Sequence, residues 1–248
     1  MNRSGEPPDI KAPAFPEERD SRGEKGSRGE RASEASLQKR GVAGRGVAGD
    51  ICHRIKNDLQ TMANLLALAA PYFAAPLDLA EALEHRVGAM GVPYTLVAEN
   101  GAPPTLDRLA QEVARRSQWR LPTPLGIQNS LPDLQLSLRL CSPLSLWLHE
   151  VIVNALVHGL DGNGRPRLSL SGGLSGHGFR LSVMDNGHGM PQGLDWATRA
   201  RFGLKVAQAV AKSDLRGHMD LTPHSEGLEA RLELPAHEFE RLNRHLWN

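Results

Sequence analysis

The sequence predicts an α+β protein in two parts: an antiparallel helical hairpin, then a two-layer sandwich of helices on a mostly antiparallel sheet. Three observations carry this prediction. Between residues 49 and 100 the apolar residues recur three and four apart, the period of one helix face. At Gly101-Ala-Pro-Pro that pattern breaks, and beyond it helical stretches mix with alternating runs such as Phe179, Leu181 and Val183, which read as strands. A chain of 248 residues has room for both parts and a tail.

Residues 1–48 are rich in Pro, Gly, Ser and charge, with Phe15 their one aromatic residue. Such a segment buries too little apolar surface to offset its ordering entropy, so it is expected to be a disordered tail. Asp50 is placed to cap the first helix. Along that helix Ile51, Ile55, Leu59, Met62 and Leu66 form one apolar stripe, which should pack. His53, Asn57, Gln60 and Asn64 follow the same spacing on another face, which points His53 toward solvent. Pro71 closes the helix, and Pro76 opens a second, with Leu79, Leu83, Val87 and Met90 on one side. Pro93 should kink or end that second helix, because proline removes a backbone donor. One hairpin covers each stripe only in part, so a homodimer that closes a four-helix bundle is expected.

The second part should span residues 101–240, with 241–248 as a C-terminal tail. Thr105 can cap a helix that buries Leu106, Leu109 and Val113. Ile127, and then Leu134, Leu136 and Leu138 in alternation, read as strands. Pro143 should open a strongly apolar helix running to His158. Leu168 and Leu170 follow, then a glycine-rich loop, the strand at Phe179–Val183, a helix at Leu204–Val210 and a last strand at Leu228–Leu234.

Composition narrows the function classes. A net charge of +1 gives no global reason to expect nucleic acid. The charges of the tail alternate in sign (Arg19-Asp20, Glu24-Lys25), unlike a basic arm. Cys52 and Cys141 have no metal-ligand spacing and read as reduced thiols. No apolar run reaches the ~20 residues that span a bilayer, and no signal-peptide stretch opens the chain. A cytoplasmic protein without membrane insertion is expected.

Four motifs carry chemistry. The first is His53-Arg-Ile-Lys-Asn57-Asp-Leu-Gln60. A lone surface histidine belongs to a solvated face, but an exposed imidazole with a pKa near ~6.5 also offers an unprotonated, nucleophilic nitrogen at neutral pH. The second is His149-Glu150-Val-Ile-Val-Asn154-Ala-Leu-Val-His158. Glu150, Asn154 and His158 fall four apart and project from one face of an apolar helix. Buried polar groups there need partners. They are either satisfied hydrogen-bonding groups or the wall of a nucleotide pocket, with Asn154 on Mg²⁺ and Glu150 near a γ-phosphate. The third is Asp185-Asn-Gly187-His-Gly189, an ordinary turn or a close backbone approach to a ligand. The fourth is Phe202-Gly203-Leu204-Lys205, a glycine opening a helix whose N–H groups can face phosphate.

In this order, the four motifs resemble a sensor histidine kinase. The first closely resembles the H-R-V-K-N-N-L-Q phosphoacceptor box of the subgroup related to the H-W-E kinases. Pro143-Leu-Ser-Leu-Trp-Leu-His-Glu-Val-Ile-Val-Asn-Ala-Leu looks like the asparagine box, Asp185 to Gly189 like the first glycine box, and Gly203-Leu204 like the second. The resemblance covers residues 50 to 235. It implies a dimeric phosphoacceptor bundle followed by a Bergerat-type ATP-binding sandwich of the GHKL superfamily. It also implies autophosphorylation of His53 from Mg-ATP and transfer to an aspartate of a response regulator receiver domain. By position, Asn154 would hold Mg²⁺ and Asp185 would accept the adenine amino group. His158 and Lys205 would join the ATP site, and Gly187, Gly189, Gly203 and Leu204 would flank its lid.

The chain departs from that pattern at identifiable places. Arg54 follows His53 where other histidine kinase classes place an acid, which leaves Glu150 as the candidate base. Val157 stands where many relatives have lysine, and Lys205 could replace it from the lid side. No sensor module precedes the bundle, so a separate sensory partner is expected. Two other readings stay open. One is a histidine phosphotransfer protein whose ATPase-like domain is degenerate and non-hydrolysing. The other is a GHKL-type serine kinase acting on a sigma-factor antagonist.

Overall fold

A helical hairpin opens the described chain in the computed structural model, which describes residues 55–118, 125–159, 166–189, 196, 200–225 and 227–244. His53, the Asp50 cap and the N-terminal tail therefore lie outside the described residues. Helix α1 (55–69) ends in a 3₁₀ turn, Ala70–Tyr72, that contains Pro71. Helix α2 (Pro76–Asn100) starts on Pro76 and stops at Gly101, whose left-handed φ of 73° lets its N–H reach the Val97 carbonyl.

The hairpin corrects three expectations. Pro93 does not end α2; it is buried inside it, among Ala89, Met90, Val92 and Leu96. The packing of that run compensates the one backbone bond a proline removes. Val87 is 38% exposed, whereas Arg86 continues the inward face of Leu79, Leu83 and Met90. On α1, Leu65 and Ala69 are buried and Met62 packs beside them, while Ile55, Leu59 and Leu66 are about half exposed. The face that α1 turns inward is rotated from the expected stripe because it meets the helix that carries Ser142 as well as α2: Asp58 accepts from Ser142 Oγ.

The remainder is a five-stranded sheet in the order β1-β2-β3-β5-β4. The strands are β1 (Gly126–Ser130), β2 (Arg167–Ser175), β3 (Gly178–Asp185), β4 (His218–His224) and β5 (Gly227–Pro235). Only the β1–β2 pair is parallel among them. Alternation places Phe179, Leu181 and Val183 of β3 and Leu228, Ala230, Leu232 and Leu234 of β5 on one buried face. That face shares its core with α3 (Leu106–Ser117), α4 (Leu138–Asn154), α5 (Phe202–Ala209) and α6 (Ala236–Leu242). The two-layer α+β arrangement is the expected one.

Local chemistry explains where element boundaries differ. Helix α4 begins at Ser137, whose Oγ accepts from the Leu140 N–H at 3.3 Å, and Pro143 lies inside it. The alternation of Leu134, Leu136 and Leu138 therefore marks no strand; Leu136 is buried in the segment before the cap, next to a single bridge between Thr105 and Gln135. The glycine-rich stretch is the end of β2, not a loop. Gly172 has φ 147°, and a Cβ there would sit 2.2 Å from the Arg180 carbonyl oxygen, so only glycine permits that pairing. Strand β4 and helix α6 are additions. Packing continues past residue 240: Leu242 is buried, and the Asn243 side-chain Oδ1 accepts from the Ser137 N–H at 2.6 Å.

The segment Leu138–Val157 is long and apolar enough, by composition, to cross a membrane. Here it is the central core helix, with Trp147, Leu144, Leu148 and Ile152 fully buried.

Candidate functional site

The C-terminal half of α4 supplies the polar centre of the site. Glu150 and Asn154, four residues apart, project from one side of the helix and line the same cavity of about 330 Å³. Val157, Gly203, Leu204 and Arg86 also line it, so α2, α4 and the first turn of α5 each contribute a wall. Beyond Asn154 the helix widens into a π-helical turn, Ala155–Gly159. The four-residue register that assigned His158 to this face ends there, and the His158 side chain lies outside the described residues.

Glu150 is buried and paired with Arg86, 64 residues earlier in the chain. Arg86 Nη2–H donates to Oε2 at 2.9 Å, and Nε lies 2.6 Å from Oε1, an ion pair by distance but not aligned as a hydrogen bond. Nη1–H donates to the Ala82 carbonyl, and the guanidinium carbon sits 4.4 Å from the centre of the Phe202 ring. Burial pushes the Glu150 pKa up, while the adjacent Arg86 charge and hydrogen bond pull it down. Gly203 fits against this pair: a Cβ on it would lie 2.8 Å from Oε2.

His149, the neighbour of Glu150, is also buried and lines the same cavity. Ser117 Oγ gives its proton to the Val113 carbonyl at 2.8 Å, so at 2.9 Å it must accept from His149 Nδ1–H. This fixes the tautomer and leaves Nε2 unprotonated. Burial first, then repulsion from Arg86 and His85, lowers the His149 pKa to about 3, so the imidazole is neutral.

A second cluster forms where β3 ends. Asp185 Oδ1 accepts from the N–H groups of Gly187 at 2.9 Å and Leu228 at 3.1 Å. Burial raises the Asp185 pKa against those two bonds. Gly227 is what lets β5 come so close: with φ 141°, a Cβ on it would lie 1.9 Å from the Asp185 carbonyl oxygen. Gly189, at φ 69°, faces Gly227 from the other side, where a Cβ would meet its carbonyl oxygen at 3.0 Å.

The structure thus brings Glu150, Asn154, Gly203 and Leu204 into one cavity and Asp185, Gly187 and Gly189 into the turn that follows β3. It does not bring Lys205 to the cavity wall; Nζ lies 5.3 Å from the ring centre of Tyr72 in the hairpin turn. Sequence reasoning missed Arg86, Phe202 and Gly227. Arg86 left a trace, being a charge in phase with the apolar Leu79, Leu83 and Met90. Gly227 left none. Among the described residues no three His, Cys, Asp or Glu side chains converge as a metal site. A Mg²⁺ held by one amide oxygen and phosphates needs no such cluster, and Asn154 fits that role.

The chain is similar to known histidine kinases. A family described as "Histidine kinase" matches residues 50–116. The chain is 29% identical over 189 residues to a blue-light-activated histidine kinase of Rhizobium johnstonii, covering 75% of this chain and 52% of that protein. It is 20% identical over 196 residues to blue-light-activated histidine kinase 2 of Erythrobacter litoralis, covering 75% and 56%. The chain spans about half the length of these curated relatives. The solved structure of an Erythrobacter litoralis blue-light activated histidine kinase shares the fold, with a TM-score of 0.65 at 17% identity over 77% of this chain and 61% of that one.

Proposed function

We propose that this chain is a sensor histidine kinase, which transfers the γ-phosphoryl group of Mg-ATP to His53. From there the phosphoryl group would pass to an aspartate of a response regulator. One observation carries the reading: Glu150 and Asn154 of α4 and Gly203 and Leu204 of α5, distant in sequence, line one cavity.

In this reading Asn154 is the residue that would hold Mg²⁺, through its amide oxygen, and the bound metal would supply charge neutralisation for the transferring group. Asp185 has Oδ1 committed to Gly187 and Leu228, so Oδ2 is the oxygen that accepts the adenine amino group. Gly203 and Leu204 present the first turn of α5 to the phosphates. The unprotonated nitrogen of His53 attacks the γ-phosphorus, the bond to the bridging oxygen breaks, and ADP leaves. Glu150 is the candidate base or polarising group. Residues 49–100 serve as the dimerising, phosphoacceptor part and 101–240 as the ATP-binding part. The exposed Ile55, Leu59 and Leu66 are the surface a second copy would cover. A cytoplasmic setting completes the proposal; nucleic acid has no part in it.

Val157, 43% exposed at the cavity wall, and the turning of Lys205 toward Tyr72 favour a second reading, a histidine phosphotransfer protein that does not hydrolyse ATP. One experiment separates the two. With γ-labelled Mg-ATP the purified chain should take up an acid-labile, base-stable label, which His53→Gln and Asn154→Ala should each abolish. A chain that takes no label from ATP but accepts phosphate from a phosphorylated regulator is a phosphotransfer protein instead.

A further inference from the structure

Two polar ties fasten α4 to the hairpin. At one, Arg86 of α2 holds Glu150. At the other, Asp58 of α1 accepts from Ser142 Oγ at 3.0 Å and from the Tyr94 hydroxyl. Arg86 and Tyr94 are eight residues apart on α2, and Ser142 and Glu150 are eight apart on α4. The ties therefore set the two helices antiparallel in one register, with matching spans of ~12 Å at 1.5 Å per residue.

This register determines where the cavity sits. Asn154 lies one turn past Glu150, beside Ala82 and Phe73 at the turn of the hairpin. Ile55, the first described residue of α1 and two positions after His53 in sequence, lies beyond Asp58 at the opposite end. Along the hairpin the two are separated by the ~12 Å span and a further turn at each end. Phosphoryl transfer needs reacting atoms about 3–3.5 Å apart. A second copy packed alongside, sharing the hairpin axis, would carry its own α1 end at the same level and would not shorten this distance.

We propose that the Arg86–Glu150 pair is an autoinhibitory latch, which holds α4 in this register and keeps the cavity away from the phosphoacceptor end of α1. The proposal rests on the kinase reading above. The chemistry of the pair suits a contact that must open. A buried ion pair contributes less net stability than apolar packing of the same volume, but it specifies one geometry. The guanidinium also faces the cavity that would receive a polyphosphate, and a phosphate is an equally good bidentate partner for arginine. A nucleotide in the cavity thus competes with Glu150 for Arg86. Gly203 and Phe202 at the start of α5 rest on the same pair, so its opening also frees that turn.

The test uses the full chain with Cys52→Ser, leaving the buried Cys141 in place. Spin labels go on cysteines replacing Leu77 of α2 and Leu174 of β2, both exposed. Their distance distribution and the rate of labelling from Mg-ATP are measured together. The latch requires a narrow distribution in the parent, a broader or two-population one in Arg86→Met, and a several-fold faster labelling rate. Arg86→Lys keeps the charge but not the fork and should fall between. If Arg86→Met does not fold, Arg86→Lys and Ser142→Ala carry the same expectation. An unchanged distribution in the folded variants overturns the latch, whatever the parent does with ATP. A broader distribution with slower labelling also overturns it, because Arg86 then assists transfer. A parent that takes no label overturns the kinase reading, and the distance result still decides whether the pair holds the register.

Discussion

Gly203 backs onto the carboxylate of Glu150 so closely that a Cβ would stand 2.8 Å from Oε2. The glycine that opens α5 and the charge buried on α4 are therefore one feature, and Arg86 is its third member because it pins the oxygen in place.

Gly203→Ala tests that coupling. Alanine in a helix gains about 1 kcal/mol over glycine on propensity. Crowding a fixed carboxylate costs about 1–3 kcal/mol, so the net effect should be destabilising. In an Arg86→Met background the carboxylate can swing away and the penalty should shrink. Urea unfolding of the two single variants and the double variant measures this, and strict additivity would show that the three residues do not act together.

Gly227→Ala should be more damaging. It asks a residue with φ 141° to carry a side chain 1.9 Å from a backbone oxygen of Asp185. Backbone strain and overpacking together should cost about 3 kcal/mol or more. Because the Leu228 N–H also holds Asp185, nucleotide binding should be lost even under conditions where the variant stays folded. Calorimetric titration with a non-hydrolysable ATP analogue checks this; parent-like affinity would exclude Asp185 from the nucleotide site.

His149 gives the fold a dependence on pH. Its folded pKa is lowered from 6.5 to about 3, so the unfolded chain takes up a proton at a higher pH than the folded chain does. Its contribution is intact above pH 6.5 and is lost as the pH falls from there toward 3, by roughly 5 kcal/mol at most. Glu150 acts in the opposite sense, since burial raises its pKa and its contribution fades as the pH rises. Comparison with His149→Gln isolates the histidine, because Glu150 is common to both proteins and glutamine keeps a partner for Ser117. Urea midpoints between pH 7 and pH 4 should fall more steeply in the parent, and parallel curves would rule out a buried neutral histidine.

What the sequence by itself determined was whatever local periodicity encodes. The spacing of three and four gave the hairpin helices and put Glu150 and Asn154 on one side of α4. Alternation of two gave β3 and β5, whose inner residues are all buried. The same signal misled at Leu134–Leu138, where a serine cap one residue before Leu138 outweighs it. It was silent at β4, a strand of His, Asp, Thr and Pro with only Met219 and Leu221 turned inward.

Tertiary structure alone decided which partners those positions meet. Arg86 and Glu150 lie 64 residues apart, Ser142 and Asp58 84, and no periodic trace links either pair. The inward face of α1 followed from contact with α4, not from its own stripe. The glycines at 203 and 227 owe their identity to atoms of Glu150 and Asp185 that arrive from other elements. A helix face is encoded by neighbours in sequence, but a buried charge or a close backbone approach is permitted only by what folds against it. His53, the residue on which the proposed chemistry turns, was legible from its motif, while the register that sets Glu150 against Arg86 and Ser142 against Asp58 became visible only in the folded chain.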